Sequence, residues 1–278
     1  MYLEHWGLTE KPFENTPDPR FLYHSPQHDE AYVRMLYVIR ERKGAGMLTG
    51  IFGCGKTLIG QALMEELALE KYQTVYVANP RLSDIDFLRI VAHRLGVNPL
   101  PTLKSDLLIQ IETALTNNQR NGKDTIILID EAHAIDDGAI FEEIRLLLNF
   151  QLKDRFLLTL LLLGQPELIP KVNALKQLEQ RISMKCHLRE LSKDETHAYI
   201  LHRLSVAGLP AEALAKAGAA RPLFSEEALN EIHEHTGGIP RRINRLCDIC
   251  LLAGFVNKAP QITPTLVMEE VRSLGGEA

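Results

Sequence analysis

One octapeptide constrains this chain more than any other stretch. Gly50-Ile51-Phe52-Gly53-Cys54-Gly55-Lys56-Thr57 fits the spacing G-x-x-x-x-G-K-[ST]. The chemistry explains the residue types. Glycines let the backbone curl round a phosphate and turn its N–H groups inward, Lys56 brings positive charge to the β- and γ-phosphates, and the Thr57 hydroxyl is a ligand for Mg²⁺. A short apolar run, Met47-Leu48-Thr49, reads as a strand before the loop. An amphipathic helix is predicted after it, from Leu58 to Leu69. A chance glycine turn with a stray lysine would lack that strand–loop–helix context. Gly50, Gly53, Cys54, Gly55, Lys56, Thr57 and Leu58 are therefore the candidate nucleotide-binding residues.

Such a loop implies an α/β sheet, and 278 residues suit one large α/β domain plus a smaller one. The net charge of −5 speaks against strong general nucleic-acid binding and leaves room for a local basic patch. The four cysteines make no disulfide framework at this length, so a reducing compartment is expected. Met1-Tyr2-Leu3-Glu4-His5 does not open like a secretory leader. The longest apolar run, Phe156 to Leu163, is far short of the roughly 20 residues that span a bilayer. A soluble, cytoplasmic protein is the expectation.

Taken in order, residues 1–40 read as a preface packing on the core, broken by Pro12, Pro17 and Pro19 and anchored by Phe13, Phe21, Leu22 and Tyr23. Helical spacing begins near His28. Thr74 to Ala78 is a second strand, and Ser83 and Asp84 cap a helix to about Leu95. A helix is predicted from Ser105 to Asn118, and a third strand, Thr125 to Ile129, leads into Asp130-Glu131. A helix from Ala139 to Leu152 precedes a leucine-rich fourth strand from Phe156 to Leu163. Short helices follow over 166–175 and 176–180, then a fifth strand from Met184 to Leu188. Strands alternating with helices imply a parallel sheet covered on both faces. Beyond Glu190 the pattern is helical only, opening on the capping box Ser192-Lys193-Asp194-Glu195. The expected domains are 1–40, 41–190 and 191–278.

Asp130 and Glu131 supply the second half of a triphosphate site. Asp130 would hold Mg²⁺, mostly through water, and Glu131 would orient and polarise an attacking water. Asp130-Glu131-Ala132-His133 also spells a string found in some helicases, but the chain has no room for the second domain they need.

The chain resembles an AAA+ ATPase, most of all the ATPase domain of the general secretion pathway A (ExeA-like) family, which is close to the transposon target-selection ATPases. Residues from 1 to about 258 carry the resemblance. They include Phe13, the run Thr16-Pro17-Asp18-Pro19-Arg20-Phe21-Leu22-Tyr23, the octapeptide and Asp130-Glu131-Ala132. Leu163-Gly164-Gln165-Pro166-Glu167-Leu168, Gln180-Arg181-Ile182 and Gly237-Gly238-Ile239-Pro240-Arg241-Arg242-Ile243-Asn244 complete it. The resemblance implies a P-loop AAA+ five-stranded parallel sheet with helices on both faces, followed by a small all-helical lid domain. It implies ATP and Mg²⁺ as ligands and a ring or filament of identical subunits.

It also implies roles. Gln165 matches the sensor 1 position, facing the γ-phosphate or the water; by itself it is a polar residue at a helix start. Arg181 looks like an arginine finger acting in trans on the neighbouring subunit's site; by itself it is a surface arginine on a short helix. Arg241 matches sensor 2, tying the lid to the γ-phosphate. A cation is disfavoured at a helix N-terminus, so Arg241 and Arg242 there call for a reason. Asn79 stands where related ATPases hold a residue restraining the catalytic Glu. Cys54 departs from the small Thr or Ser usual in this loop, as a tolerated small side chain or as an oxidisable thiol. Cys247 and Cys250 lie in an apolar helical run and read as core thiols.

Longer members of that family continue into a transmembrane helix and a peptidoglycan-binding domain. This chain reaches Ala278 with neither, so support of a secretion or pilus machine would run through a membrane-bound partner, with the protein peripheral to the inner membrane. Duplex DNA is the alternative partner, met by Arg81, Arg89 and Arg94 on one predicted helix and by Arg241, Arg242 and Arg245 on another. A slow nucleotide-dependent regulatory switch is the third reading.

Overall fold

The computed structural model describes residues 1–67, 71–136, 138–153, 155–209 and 222–275. In chain order the elements are α1 (Leu3–Trp6), α2 (Pro26–Arg40), β1 (Ala45–Gly50), α3 (Lys56–Glu66), β2 (Tyr72–Val77), α4 (Asp84–Arg94), α5 (Lys104–Arg120) and β3 (Asp124–Ile129). Then come α6 (Gly138–Leu147), β4 (Leu158–Gly164), α7 (Leu168–Asn173), α8 (Lys176–Glu179) and β5 (Ile182–Leu188). The last described elements are α9 (Lys193–Val206), α10 (Glu226–Thr236), α11 (Pro240–Val256) and α12 (Pro264–Gly275). Short 3₁₀ turns lie at Pro19–Phe21 and Ala132–Ala134. The chain forms two compact units. One comprises Pro26–Phe52 and Lys56–Leu188; the other comprises Met1–Ser25, Gly53–Gly55 and the chain from Arg189 onward.

The first unit is built on a five-stranded sheet of order β2-β3-β4-β1-β5. Every neighbouring pair is parallel. Both β1 and β4 are buried along their whole length, and β3 nearly so. That explains why they read as continuous apolar runs rather than alternating ones. Leucine-rich β4 is a strand despite its modest intrinsic preference, because a seven-residue segment paired on both sides gains more from burial than propensity takes away. Thr49 of β1 is in register with Gly164 of β4, and Ile129 of β3 with Leu162. The C-terminal ends of the three strands therefore come out together, and each is followed by a candidate site residue. Two polar ties brace this unit. Arg42 makes a bidentate pair with Asp124 at 2.8 and 2.9 Å. Lys104 of α5 reaches Asp84 of α4 at 2.6 Å and the buried Glu143 of α6 at 2.7 Å.

Some expected boundaries move. The helix after the glycine loop starts at Lys56, and the expected end at Leu69 lies outside the described residues. Helix α6 stops at Leu147, not Leu152, because Gln151 turns back to pair antiparallel with Phe156 and Leu152 N–H bonds to the Arg155 carbonyl at 2.8 Å. Phe156 is used in that bridge, so β4 starts at Leu158.

The preface expected over 1–40 divides at Ser25. Helix α2 packs on β5 and β1. Residues 1–25 instead belong to the helical unit, where Tyr2, Trp6, Leu8, Phe13 and Phe21 share one core with Tyr199, Ile200, Leu204, Leu246 and Leu251. The Trp6 indole donates to the Leu251 carbonyl at 2.9 Å, and the Thr9 N–H and hydroxyl both donate to the Ala207 carbonyl. The Arg203 guanidinium stacks 4.6 Å from the Phe21 ring centre. The apolar anchors are thus consumed by the small helical core. Within that unit Ser192 and Glu195 form the expected capping box of α9, and Ser225 caps α10.

Candidate nucleotide site

The glycine loop joins β1 to α3. Gly53 and Gly55 have φ of +87° and +102°, values that a residue with a Cβ rarely adopts. Lys56 is only 5% exposed, and its ammonium donates to the carbonyls of Gly50 and Ile51 at 2.8 and 2.9 Å. The loop thereby holds its own cation at its centre. Cys54 is fully buried, which sets it with inert packing thiols rather than with oxidisable ones. Cys247 and Cys250 are buried too. Burial pushes the Cys250 thiol up to about 12 and Cys247 well above its usual range, as suits core thiols.

Asp130 ends β3 and is 3% exposed. Three donors satisfy its carboxylate. Oδ2 accepts from the Thr57 hydroxyl at 2.7 Å and from the Tyr76 hydroxyl at 3.0 Å, and Oδ1 accepts from the Glu131 N–H at 2.8 Å. Burial, then the charge of Asp130 and the hydrogen bond to it, push the Tyr76 phenol well above its usual range, so it stays a donor. Glu131 adopts a left-handed conformation, φ +51°, which turns the chain sharply into the Ala132–Ala134 turn. Such backbone conformations cost about 1–3 kcal/mol and gather at functional sites.

The Glu131 side chain is 38% exposed, and its Oε2 lies 3.4 Å from His133 Nδ1. The other ring nitrogen, His133 Nε2, meets the Gln165 amide nitrogen at 2.9 Å. Two features place these groups together. Gly164 lets β4 end against the turn, since a Cβ there would sit 3.1 Å from His133 N. Lys171 of α7 then clamps the turn through the carbonyls of His133 and Ile135, at 2.6 and 2.7 Å.

The remaining sequence candidates fall as follows. Asn79 is exposed, and its carbonyl accepts from Arg81 N–H at 3.1 Å. That bond closes its own turn at the end of β2. Arg181 precedes β5 and donates to the Leu148 carbonyl and to Asn149 Oδ1, both at 2.5 Å, capping the chain that leaves α6. Arg241, exposed at the start of α11 in the helical unit, donates its N–H to the Gly53 carbonyl at 3.2 Å. A Cβ at Gly53 would lie 2.7 Å from Arg241 Cβ, so that approach requires glycine. Arg81 precedes α4 instead of lying on it, and pairs with Asp136 at 3.1 Å. The expected row of Arg81, Arg89 and Arg94 on one helix is thus broken, whereas Arg241, Arg242 and Arg245 are all exposed on α11.

Sequence reasoning missed two residues. Tyr76 reads as one more aromatic in a strand. His133 was visible only as part of a helicase-like string. Neither pattern shows what the side chain touches.

The residues present fit a nucleoside triphosphate with Mg²⁺. The positive-φ glycines leave room for phosphate, and the Thr57–Asp130 pair offers the hard oxygen donors this cation takes. The fold is the AAA+ fold with a P-loop, and residues 39–172 match the family model described as "AAA domain". Over 265 residues the chain is 35% identical to general secretion pathway protein A of Aeromonas hydrophila, covering 94% of this chain and 46% of that protein. The chain therefore spans under half the length of that relative. Among solved structures it is similar to the Aeropyrum pernix ORC2 protein in ADPNP and ADP complexes, with a TM-score of 0.67 at 15% identity over 95% of this chain and 71% of that one. It is also similar to the ORC1 protein of the same organism in complex with DNA, with a TM-score of 0.67 at 14% identity over 97% and 68%. At such identities the likeness is one of fold. Among the described residues no helix is long and apolar enough to cross a membrane.

Proposed function

We propose that this protein is a Mg²⁺-dependent ATP hydrolase whose turnover is coupled to assembly with copies of itself, in support of a secretion or pilus envelope machine. The observation that carries the reading is the Thr57–Asp130 hydrogen bond at 2.7 Å, which joins the glycine loop to the end of β3 next to Glu131. Lys56 would exchange its loop carbonyls for phosphate oxygens, and Thr57 with Asp130 would hold the metal. Mg²⁺, when bound, offsets charge on the phosphate oxygens. Glu131 orients the attacking water and takes its proton. Gln165, beside it, contacts the γ-phosphate or that water. Arg241, at the sensor 2 position, contacts the γ-phosphate. Arg181 acts on the neighbouring subunit, and to do so it gives up Leu148 and Asn149. The sequence likeness to general secretion pathway protein A favours the envelope role, served from the cytoplasmic side through a membrane-bound partner. The exposed arginines of α11 favour a second reading, in which duplex DNA is the partner.

ATP turnover with and without duplex DNA, at low and high salt, tests both. Stimulation by DNA that fades with salt overturns the envelope reading. Tight ATP binding with no turnover under any condition identifies a regulatory switch. Lys56→Ala is expected to abolish nucleotide binding, and Glu131→Gln to keep binding and stop hydrolysis.

A further inference from the structure

We propose that His133 is a positioning residue that fixes the carboxylate of Glu131 through Nδ1 and takes its own orientation from Gln165 through Nε2. The inference rests on the hydrolase reading above. The Gln165 amide donates to Nε2, which leaves the ring proton on Nδ1. Nδ1 is buried without a hydrogen-bond partner, and Glu131 Oε2 stands 3.4 Å away. A buried donor without an acceptor is unfavourable, so a small rotation of Glu131 that closes this gap is favoured. The ring cannot swing away freely, because Lys171 holds its backbone and Gln165 its far nitrogen. The Glu131 carboxylate, 38% exposed, has room to rotate about its side-chain torsions.

The arrangement places one imidazole between the group that prepares the water and the group expected to sense the phosphate. A change in what Gln165 touches turns the ring, and the ring turns Glu131. It is a restraint of the kind expected of Asn79, supplied from the turn after Glu131 and linked to β4. Histidine suits the place because its two nitrogens accept and donate at opposite ends of a rigid ring.

The test is steady-state ATP hydrolysis by the full chain. His133→Ala is expected to lower kcat by about 10–100-fold with KM for ATP nearly unchanged, the range for loss of an orienting partner. His133→Asn, whose amide nitrogen can stand at the Nδ1 position, should recover more rate than His133→Gln. Adding Gln165→Ala to His133→Ala should cost less than the product of the two single changes, because the part of the Gln165 effect that runs through the ring is already lost. Imidazole ¹⁵N shifts of the wild-type protein should report the Nδ1–H tautomer, a readout that needs no variant to fold. An Nε2–H tautomer overturns the proposal. So does a kcat within about twofold of wild type in His133→Ala while Glu131→Gln is dead, or a loss confined to KM. No ATP turnover by the wild-type protein under any condition overturns the hydrolase reading itself, whereas the outcomes above overturn only the role of His133, so the two failures are distinct.

Discussion

Tyr76→Phe removes one oxygen and nothing else, and the structure sets what that oxygen is worth. Asp130 is a nearly enclosed carboxylate with three donors, and the Tyr76 hydroxyl is the longest of them at 3.0 Å. Hydrogen bonds to charged groups contribute about 1.5–3 kcal/mol each. The longest bond, from a half-buried phenol, belongs at the lower end, about 1.5 kcal/mol. For a chain of this size each kcal/mol shifts Tm by about 2–4 °C, so the variant should melt about 3–6 °C lower. A second effect is separate from stability. Tyr76 and Thr57 share Oδ2, and together they fix the plane of the carboxylate that would hold Mg²⁺. Loss of an orienting partner typically weakens metal binding about 10–100-fold, and with Thr57 still in place the half-saturating Mg²⁺ concentration for turnover should rise by about 10-fold. Tyr72, at the far end of the same strand, is the control: Tyr72→Phe should leave the Mg²⁺ dependence alone. A Tyr76→Phe protein with unchanged Tm and unchanged Mg²⁺ dependence would refute the argument that Asp130 is held by three donors.

Arg181→Ala and Glu131→Gln are each expected to be inactive alone. Mixed in one assembly they should regain measurable turnover, since an intact Glu131 then meets an intact Arg181 from its neighbour; a mixture as dead as its parts refutes the trans role. Lys104→Met strands the carboxylate of Glu143, which is 5% exposed, and should cost about 3 kcal/mol in chemical denaturation. Adding Glu143→Gln to that variant should return part of the loss. Burial holds His202 below its usual imidazole range, with the charges of His24 and Arg203 adding to the effect. The unfolded chain therefore takes up that proton first, and stability linked to His202 is intact above about pH 6.5 and lost as pH falls below it. His202→Gln should flatten the acid side of a Tm-against-pH curve, and an unchanged slope would remove His202 from the account.

The fold was legible where a local pattern decides it. Buried parallel strands must be short apolar runs, and all five were found with boundaries that shift by a few residues. Helix caps at Ser83 and Ser192 were readable because one hydroxyl and one N–H three residues on suffice. Two things were not readable. The hairpin bridge of Gln151 with Phe156 cut short a helix whose apolar spacing continued, because pairing across a turn outweighs spacing along the chain. The preface looked like one lead-in, but which core buries Trp6 and Phe21 is decided by contacts with residues far along the chain. Pro12, Pro17 and Pro19 mark breaks in the chain and say nothing about that.

The site divides along the same line. Gly50 to Thr57 is a covalent motif, so its shape follows from its own residues. Asp130 and Glu131 are legible because a parallel sheet puts every strand's C-terminal end on one edge. Tyr76 and His133 act across that edge, between β2 and β3 and between the turn after β3 and β4. Contacts of this kind depend on strand order, and β2-β3-β4-β1-β5 is not written in any one segment. Gly164 shows the difference most directly. From sequence it marks the end of a strand, whereas in the fold its missing Cβ lets His133 N approach and so brings the Gln165 amide to the imidazole. The loop would bind phosphate in many settings; what would relate that phosphate to Glu131 is this approach of two strand ends.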